Sequence, residues 1–455
     1  MRIVIIGNGV AGMQAAMTIR KREPDWEITV ISEESDHFFS RTALMYIMCG
    51  QLSHQDIEPL ERDAYANLGL KRVRARATGI DTEARTVLMA GDHPSVPFDR
   101  LIVAVGSRPA PAPFWKGYGA LRGIGHFVTH QDLQWLEREV HGGPSRGGDA
   151  PRPDAHLAYS TPDSPYQPRL DAASSRGSRP KNVAVIGGGL IGVESVEVLL
   201  KAGYNPHFLI REDWFWPMAI DQAESTWIAE EMGHHGVNVH LQTNVTGFEG
   251  DGNGNLALTK TDKGDLETEL VVVAIGVKPN TTWLADGPLQ IDKFGGILVD
   301  EGLQTNVEGI FACGDCASVR WFNDVVRPEQ LWYTARDQGR IAGKRALGDD
   351  VTYSRGLFYN SAKLMDIEYT TAGYVGWQLE GEQEFFFHEK DKVRSTTRIV
   401  HRNGAVIGFN MLGRRWDHSI LLRWIEQRRS LAWVKAHLNE ARFDTEFVPP
   451  LQLAG

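Results

Sequence analysis

The stretch RIVIIGNGVAGMQAAMTIRK, residues 2–21, begins with a short β-branched run and continues through three glycines into apolar residues at helical spacing. That order predicts a strand, a tight turn and a helix. Gly7, Gly9 and Gly12 fit the pattern G-x-G-x-x-G, in which the glycines permit the turn, the approach of a pyrophosphate and close helix–strand packing. Free N–H groups at the helix start bind phosphate. The stretch therefore predicts a dinucleotide-binding fold.

An acidic residue in the right place supports this interpretation. Glu33 lies 21 residues after Gly12, at the end of the predicted strand EITVIS, and Glu34 follows it. In dinucleotide-binding folds an acid at this position accepts hydrogen bonds from ribose hydroxyls. We expect one of the two glutamates, with Glu33 favoured, to have this role, and the other to be a solvated charge beside Asp36.

A second stretch, NVAVIGGGLIGVESVEVLLKAG at 182–203, repeats the pattern with Gly187, Gly189 and Gly192. The two stretches begin 180 residues apart, too far for a solenoid repeat, so two separate nucleotide-binding domains are expected. The second predicted strand end, HFLIRED, carries Arg211 where NAD enzymes usually have an acid. This arginine could pair with a 2′-phosphate, which favours NADPH over NADH. Alternatively, Glu212 bonds a 2′-hydroxyl and Arg211 is solvated.

The bulk composition is that of a soluble enzyme. The chain has 455 residues, of which 42% are hydrophobic and 23% charged, which suits two to three domains. A net charge of -10 argues against nucleic acid or an anionic membrane as the main partner. No apolar run approaches the ~18 residues of a membrane span. Three cysteines cannot form a disulfide framework, so a cytoplasmic location is expected.

Two regions differ from the nucleotide-binding pattern. Residues 141–180 are rich in Pro, Gly, Ser and Arg and have few core-forming residues, so we predict a mobile surface insertion. From about Thr352, the segment FFFHEKDKVRSTTRIVHRNGAVIGFNML predicts antiparallel strands joined at a turn that contains Asn403-Gly404. The following HSILLRWIEQRRSLAWVKAHL is predicted to be helical, which completes a C-terminal α+β domain.

Three further segments carry a resemblance to a known family. DRLIVAVGSRP (99–109), VVVAIGVKPN (271–280) and LQTNVEGIFACGDCAS (303–318) follow the glycine turns in the order found in the pyridine nucleotide–disulfide oxidoreductase superfamily. The resemblance implies an α/β fold with two Rossmann-like domains, the NAD(P) domain being inserted in the FAD domain, plus a C-terminal interface domain. The expected boundaries are 1–110 and 270–350 for FAD, 111–269 for NAD(P)H and 351–455 for the last domain.

The same resemblance assigns cofactor-binding residues. It places Gly314 and Asp315 at the ribityl–pyrophosphate junction of the flavin. The expected FAD-binding residues are Gly7, Gly9, Val10, Ala11, Gly12, Glu33, Arg41, Thr42, Ala77, Val105, Gly106, Gly314, Asp315 and Trp332. The expected NAD(P)-binding residues are Gly187, Gly189, Leu190, Ile191, Gly192, Glu194, Arg211 and Gly276.

The cysteines do not match the family's redox centres. Cys313 and Cys316 form a C-x-x-C pair, but no second pair exists in the sequence, so a four-thiolate zinc site is unavailable and no metal site is predicted. Within FFSRTALMY (38–46), Thr42 stands where related enzymes carry a reactive thiol. A hydroxyl cannot replace a thiolate, because its pKa is far too high and it has no sulfenic state. We expect Cys49 and the C-x-x-C pair to be structural.

What remains resembles the thiol-free branch, which contains ferredoxin, putidaredoxin and rubredoxin reductases and the flavin part of nitrite reductase. Arg41 matches that branch's pyrophosphate-binding arginine, whereas Thr42 and Tyr46 replace its usual proline and lysine. QLWYTARDQGRIAG (330–343) resembles its W-x-x-A-x-x-Q-G motif, which puts Trp332 beside the flavin. Glu194 matches a glutamate near the nicotinamide. Core packing for Trp332 and solvent exposure for Glu194 are the structural alternatives.

The expected activity is hydride transfer from NAD(P)H to FAD, with the cofactors supplying the chemistry, followed by electron transfer to a small redox carrier such as an iron–sulfur or haem protein. An NAD(P)H oxidase or quinone reductase is the first alternative. A redox sensor or a subunit of a larger complex is the second. The C-terminal domain could form a homodimer or contact the partner, and Asp417-His418 within it are expected to be structural. Arg414 and Arg415 could instead steer an acidic partner.

Overall fold

We analysed a computed structural model, which describes residues 1–141, 181–217, 219–321, 324–376, 379–389, 393–446 and 448–453. The residues group into two compact units. The first contains Met1–Lys181, Gly247–Leu258 and Thr268–Arg355, and the second contains Asn182–Thr246, Thr259–Glu267 and Gly356–Gly455. None of the helices in the described ranges has the length and apolar character that crossing a membrane requires.

The described part of the chain contains 26 short strands and nine α-helices. Its strands are β1 Arg2–Ile6, β2 Glu27–Ser32, β3 Leu70–Arg74, β4 Ala77–Asp81, β5 Thr86–Met89, β6 Val96–Pro97, β7 Arg100–Val103, β8 Ser107–Pro109, β9 Ile124–Gly125, β10 Val183–Ile186, β11 His207–Leu209, β12 Asn238–His240, β13 Val245–Gly250, β14 Leu256–Thr261, β15 Leu266–Glu267, β16 Leu270–Val273, β17 Val277–Pro279, β18 Ile297–Leu298, β19 Ile310–Ala312, β20 Ala317–Arg320, β21 Val326–Pro328, β22 Tyr359–Leu364, β23 Ile367–Gly373, β24 Glu382–Glu389, β25 Ser395–Arg402 and β26 Ala405–Leu412. Its helices are α1 Val10–Arg20, α2 Leu44–Met48, α3 Ala64–Asn67, α4 His130–His141, α5 Leu190–Lys201, α6 Gln222–His234, α7 Trp332–Ala346, α8 His418–Glu426 and α9 Leu431–His437.

The core of the first unit is a five-stranded parallel sheet in the order β19-β7-β1-β2-β3. Its central strand β1 is buried from Ile3 to Ile6, as its β-branched run leads one to expect for a strand covered on both faces. Its carboxyl end leads through Gly7 into α1. Ligands of open parallel sheets bind outside the carboxyl ends of the strands, so this end faces the candidate site.

Helices α1 and α7 cross at unusually close range because small residues line the contact. A Cβ atom added to Gly339 of α7 would lie 2.2 Å from the Ala11 carbonyl oxygen, and one added to Gly343 would lie 3.0 Å from the Ala15 carbonyl oxygen. Contacts of 2.2 Å are forbidden, so glycine is required at 339. This crossing fixes the start of α7 relative to the first glycine turn.

The second strand–turn–helix unit has the same local form. Strands β10, β11 and β12 are parallel, and α5 follows β10 after the glycines 187–189. Both predicted strand–turn–helix units are thus present, and the α/β fold class with Rossmann-like units and a C-terminal sheet domain is confirmed.

The C-terminal segment forms the predicted antiparallel strands, in a five-stranded sheet of order β22-β23-β26-β25-β24. Arg402 pairs with Ala405 across Asn403-Gly404, whose φ angles of 50° and 77° are those of a two-residue type I′ hairpin. The helical segment that follows is two helices, α8 and α9, rather than one. Arg428 has a φ of 53°, and the Ser430 hydroxyl accepts a hydrogen bond from Trp433 N–H, so a new helix begins there.

A buried charge network joins α6 to this sheet within the second unit. Glu224 is fully buried and accepts hydrogen bonds from Arg398 Nη2 at 2.6 Å and Thr396 Oγ1 at 3.0 Å. It also closes the capping box of α6 with Asp221. A buried carboxylate needs such partners, because removal of one would leave an uncompensated charge.

The three-domain division stays a prediction, and the predicted insertion at 141–180 lies outside the described residues except for its first residue.

The α1–α7 contact generates a stability prediction. We expect Gly339→Ala to destabilise the protein by ~2 kcal/mol or more, because the added methyl group must force two backbones apart. Gly233→Ala, at an exposed position of α6 with no atom within 4 Å of the new Cβ, is the matched control and should be neutral or stabilising by up to ~1 kcal/mol. Urea unfolding measures both, and equal effects would contradict the packing account.

Candidate dinucleotide and flavin sites

The first glycine turn is packed closely against backbone atoms at Gly7 and Gly12 and is open at Gly9. Gly7 has a φ of 110°, and a Cβ there would lie 2.1 Å from the Ala104 carbonyl oxygen. A Cβ at Gly12 would lie 2.0 Å from the Gly7 carbonyl oxygen, whereas one at Gly9 would meet no atom within 4 Å. The turn therefore leaves room at Gly9, where α1 begins with Val10 and Ala11, for a phosphate to approach free N–H groups.

Glu33 lies directly after β2 and offers an acceptor. Within the described residues its Oε2 atom is buried without a hydrogen-bond partner, and the Arg76 guanidinium lies 3.6 Å away. Burial raises the pKa of Glu33 to about 7, although Arg76 opposes the shift. A buried acceptor that lacks a donor here is consistent with a ribose hydroxyl as its partner. Ala77, another predicted contact, begins β4 and is buried.

Glu34 is not a solvated charge, although the sequence suggested that role for one of the two adjacent glutamates. Its carboxylate accepts hydrogen bonds from Arg41 at 2.8 and 2.6 Å and from the His130 backbone N–H at 3.0 Å. Burial raises the pKa of Glu34, but the Arg41 charge and these bonds outweigh it, so the net shift is downward. Arg41 also donates to the Val128 carbonyl at 2.9 Å, and the two partners hold the guanidinium in place.

The segment with threonine in place of the thiol forms a short turn followed by α2. Arg41–Ala43 is a 3₁₀ turn, and Thr42 is exposed, with its hydroxyl 3.2 Å from Ser40 Oγ. Tyr46, which replaces the branch's lysine, is 42% exposed. Cys49 follows α2 and is half-buried. The side chain at the position of the family's reactive thiol is therefore the exposed hydroxyl group of Thr42.

The second predicted contact region is built around Gly314 and Asp315. Gly314 has a φ of 77°, and its N–H donates to Gln338 Oε1 at 2.8 Å. Asp315 accepts a hydrogen bond from Ser107 Oγ at 2.6 Å. Burial raises the pKa of Asp315, and the Arg41 charge opposes the shift, so the field of Arg41 reaches this carboxylate. The fold thus brings together residues from the two ends of the first unit.

The C-x-x-C pair is buried beside this turn. Cys313 and Cys316 both have no exposed surface, and Cys316 Sγ lies 3.5 Å from the Val103 carbonyl oxygen. Burial raises the pKa of Cys313 and raises that of Cys316 to about 12. Thiolate is the reactive form, so both sulfurs are unreactive at neutral pH.

Trp332 begins α7 and is half-buried, with the Arg336 guanidinium 5.5 Å from its ring centre. The N-cap residue Leu331 gives the first turn of α7 no side-chain hydrogen bond. The helix therefore presents N–H groups and a partial positive charge at this end.

The second glycine turn repeats the geometry of the first. Gly187 has a φ of 117°, a Cβ at Gly192 would lie 2.0 Å from the Gly187 carbonyl oxygen, and Gly189 is open. Leu190 and Ile191 begin α5, and Glu194 lies one turn further, half-buried. Burial raises the pKa of Glu194 to about 7, with a further contribution from Glu197.

The remaining predicted nucleotide contacts lie on loops. Arg211 is 76% exposed and pairs with Glu212 at 2.8 Å, so the two residues that the sequence offered as alternatives contact each other. Gly106, which follows Val105, and Gly276 have φ angles of 66° and 105° and flank the antiparallel pair β8–β17. As expected of a chain that turns there, both glycines adopt the left-handed region.

Three features fit the pyrophosphate, ribose and ribityl groups of FAD: the open Gly9 of the first turn, the Glu33 Oε2 atom that lacks a hydrogen-bond donor among the described residues, and the half-buried Asp315. The family model for pyridine nucleotide-disulphide oxidoreductases matches residues 1–339. The chain belongs to this family. It is therefore an enzyme, an oxidoreductase of a family that uses FAD and NAD(P)H.

Individual relatives are distant but extend over most of the chain. A ferredoxin–NAD(+) reductase component of the p-cumate 2,3-dioxygenase system of Pseudomonas putida is 27% identical and covers 94% of both chains. An NAD(P)H coenzyme A polysulfide/persulfide reductase of Pyrococcus horikoshii is 26% identical and covers 89% of this chain and 82% of the relative. The structure of a putidaredoxin reductase–putidaredoxin complex matches with a TM-score of 0.76 at 20% identity, over 94% of this chain and 93% of that one. That match shows the fold of this oxidoreductase.

Sequence reasoning missed several polar residues that shape the site. Asn8 Nδ2 donates to the Ser35 carbonyl at 2.8 Å, and its Oδ1 accepts from Ser32 Oγ at 3.0 Å. These bonds hold the loop that carries Glu33. Ser107 and Gln338, described above, were also missed, and their positions within SRP and W-x-x-A-x-x-Q-G were the available signal. The cofactor-contact assignments themselves stay predictions.

Glu194 generates a pH prediction. Its pKa is about 7 in the folded protein against an ordinary value of 4.5, so the folded state binds more protons between these values and stability falls as pH rises through them. Relative to Glu194→Gln, we expect wild type to lose roughly 3 kcal/mol of unfolding free energy between pH 4.5 and 7. Glu230→Gln, at a half-exposed surface pair, is the control and should show no such loss. A pH-independent difference between wild type and Glu194→Gln would contradict the assignment.

Proposed function

We propose that this oxidoreductase passes electrons from NAD(P)H to a small redox-carrier protein without using a cysteine. When bound, FAD supplies the chemistry, since it accepts a hydride and releases electrons singly. The residues of the chain bind the two cofactors, orient them and exclude water. The observation that carries the proposal is Thr42, exposed at the position of the reactive thiol, together with two cysteines that are buried and poor thiolate formers.

Distinct residues would hold each part of FAD. The first turn and the start of α1 would bind the pyrophosphate, with Arg41 beside it, and Glu33 would accept the ribose hydroxyls. Asp315, oriented by Ser107, would bond the ribityl chain. The N-terminal end of α7 would favour negative charge on the flavin, as helix N-termini do. Trp332 would lie beside the flavin.

For the nucleotide, the second turn would bind the pyrophosphate and Glu194 would lie near the nicotinamide. We favour NADPH because Arg211 is exposed at the strand end where it could reach a 2′-phosphate. Its ion pair with Glu212 is a surface pair, which is weak enough to be exchanged for a phosphate. The relative named as a ferredoxin–NAD(+) reductase component supports the carrier as electron acceptor. The carrier would dock transiently near Trp332.

The proposal predicts rapid anaerobic reduction of the bound flavin by NADPH and turnover that depends on a carrier. We expect a reduced [2Fe–2S] ferredoxin or rubredoxin to accumulate, at a rate well above turnover with oxygen or a quinone. Stopped-flow absorbance with NADH and with NADPH measures the first step, and carrier absorbance measures the second. Fast oxygen or quinone turnover without carrier stimulation would instead identify an oxidase or quinone reductase, and failure of the flavin to bleach would favour a redox sensor.

A pair of surface variants sharpens the test. Arg336 lies beside Trp332 near the start of α7, whereas Arg22 pairs with Asp349 beyond the far ends of α1 and α7. We expect Arg336→Ser to raise KM for the carrier several-fold while leaving flavin reduction unchanged. Arg22→Ser should change neither. Equal effects of the two variants on the carrier KM would exclude docking near Trp332.

A further inference from the structure

A buried ion pair in the first unit has no place in the steps described so far. Arg355 and Glu329 have side chains that are 2% and 5% exposed. Arg355 Nε lies 3.2 and 3.1 Å from the two carboxylate oxygens, and Nη2 also donates to Oε1. Burying two charges costs free energy that their attraction repays only with such geometry. Stability alone does not explain a buried ion pair of this kind.

The strand register places Glu329 next to the Asp315 turn. Strands β20 and β21 are antiparallel, with Ser318 opposite Pro328, so Glu329 comes level with Ala317, two residues after Asp315. Glu329 also contributes to the raised pKa of Asp315, after burial, which is the largest cause. The field of Glu329 therefore reaches the carboxylate that is expected to bind the ribityl chain.

The same pair adjoins the start of α7. Trp332 begins that helix three residues after Glu329. Arg355 contacts the Trp321 ring at 4.9 Å from its centre, and Arg327 lies over the same ring at 4.0 Å. Gln338, whose side-chain oxygen accepts a hydrogen bond from the Gly314 N–H, also lies on α7. Glu329 is thus close to both segments expected to contact the flavin, by strand register to one and by chain order to the other.

We infer that Glu329 and Arg355 are a charge-balanced pair of positioning residues that sets the reduction potential of the flavin held at Asp315 and Trp332. The inference rests on the FAD site proposed above. Reduction makes the flavin more negative, so an unbalanced positive charge nearby favours the reduced form and an unbalanced negative charge disfavours it. For a unit charge, an effective dielectric of ~20 and a separation on the order of 10 Å, Coulomb's law gives a change of roughly tenfold in an equilibrium, which is ~30 mV for a two-electron couple.

The test measures the flavin midpoint potential of the intact holoenzyme by anaerobic potentiometric titration. Glu329→Gln removes one negative charge and should raise the midpoint potential, which corresponds to a change of about tenfold in the reduction equilibrium. Arg355→Met removes one positive charge next to Glu329 and should lower the midpoint potential, with a change of similar size in the reduction equilibrium. The double variant removes both charges and should return close to the wild-type value.

Shifts of opposite sign in the two single variants that cancel in the double variant indicate an effect of charge. Loosened packing would instead shift the midpoint potential of both single variants in the same direction. Arg414→Met is the matched control, since Arg414 and Glu389 form a pair of similar burial in the second unit. It should lower stability and leave the potential unchanged. If Arg355→Met does not fold, a rise in Glu329→Gln that disappears in the double variant still supports the inference.

Bound FAD whose potential is the same in all folded variants overturns this inference alone. Shifts of the same sign in both single variants, or a shift in Arg414→Met as large as theirs, also overturn it. A wild-type protein that binds no FAD overturns the proposed function and this inference with it.

Discussion

The site depends on close contacts between the backbone at the start of α1 and the segments that pack against it. Side chains are excluded at Gly12, where a Cβ would lie 2.0 Å from the Gly7 carbonyl oxygen, and at Gly339, where it would lie 2.2 Å from the Ala11 carbonyl oxygen. Gly314 is held nearby, since its Cβ would lie 2.9 Å from that of Ala11. These contacts bring the glycine turn, the Asp315 turn and the start of α7 to one place. Apart from Arg41, which lies on a 3₁₀ turn, the FAD contacts proposed above lie on these segments or on the strand ends beside them.

Local features of this arrangement could be predicted from the sequence. The two glycine turns and the Asn403-Gly404 hairpin are specified by residues adjacent in the chain, because backbone conformation and hydrophobic period are local properties. The end of α8 was missed, since nothing in HSILLRWIEQRRSLAWVKAHL marks Arg428 as left-handed, and only Ser430, the N-cap residue of α9, indicates that a new helix begins. Weak local signals of this kind are decided by the surrounding structure.

Contacts between distant segments could not be predicted. Ser107 and Asp315 are 208 residues apart, and Glu224 reaches Arg398 across 174 residues. No period or spacing reports such pairs, because they depend on which faces meet after folding. Glu34 illustrates the consequence: it reads as a surface charge in sequence, yet it holds Arg41 beside the candidate site. The resemblance to the family identified Arg41 but not the carboxylate that fixes it.

In the proposed function no sulfur atom takes part in electron transfer, which would distinguish this chain from the family's disulfide reductases. Thr42 cannot store electrons, and the two buried thiols disfavour the thiolate. A flavin alone then holds two electrons per site, whereas a flavin with a redox-active disulfide or sulfenic acid holds four. Anaerobic titration of the purified enzyme with NAD(P)H measures this capacity most directly. Our account predicts complete reduction at one equivalent of nucleotide per bound FAD, and an endpoint at two equivalents would contradict it.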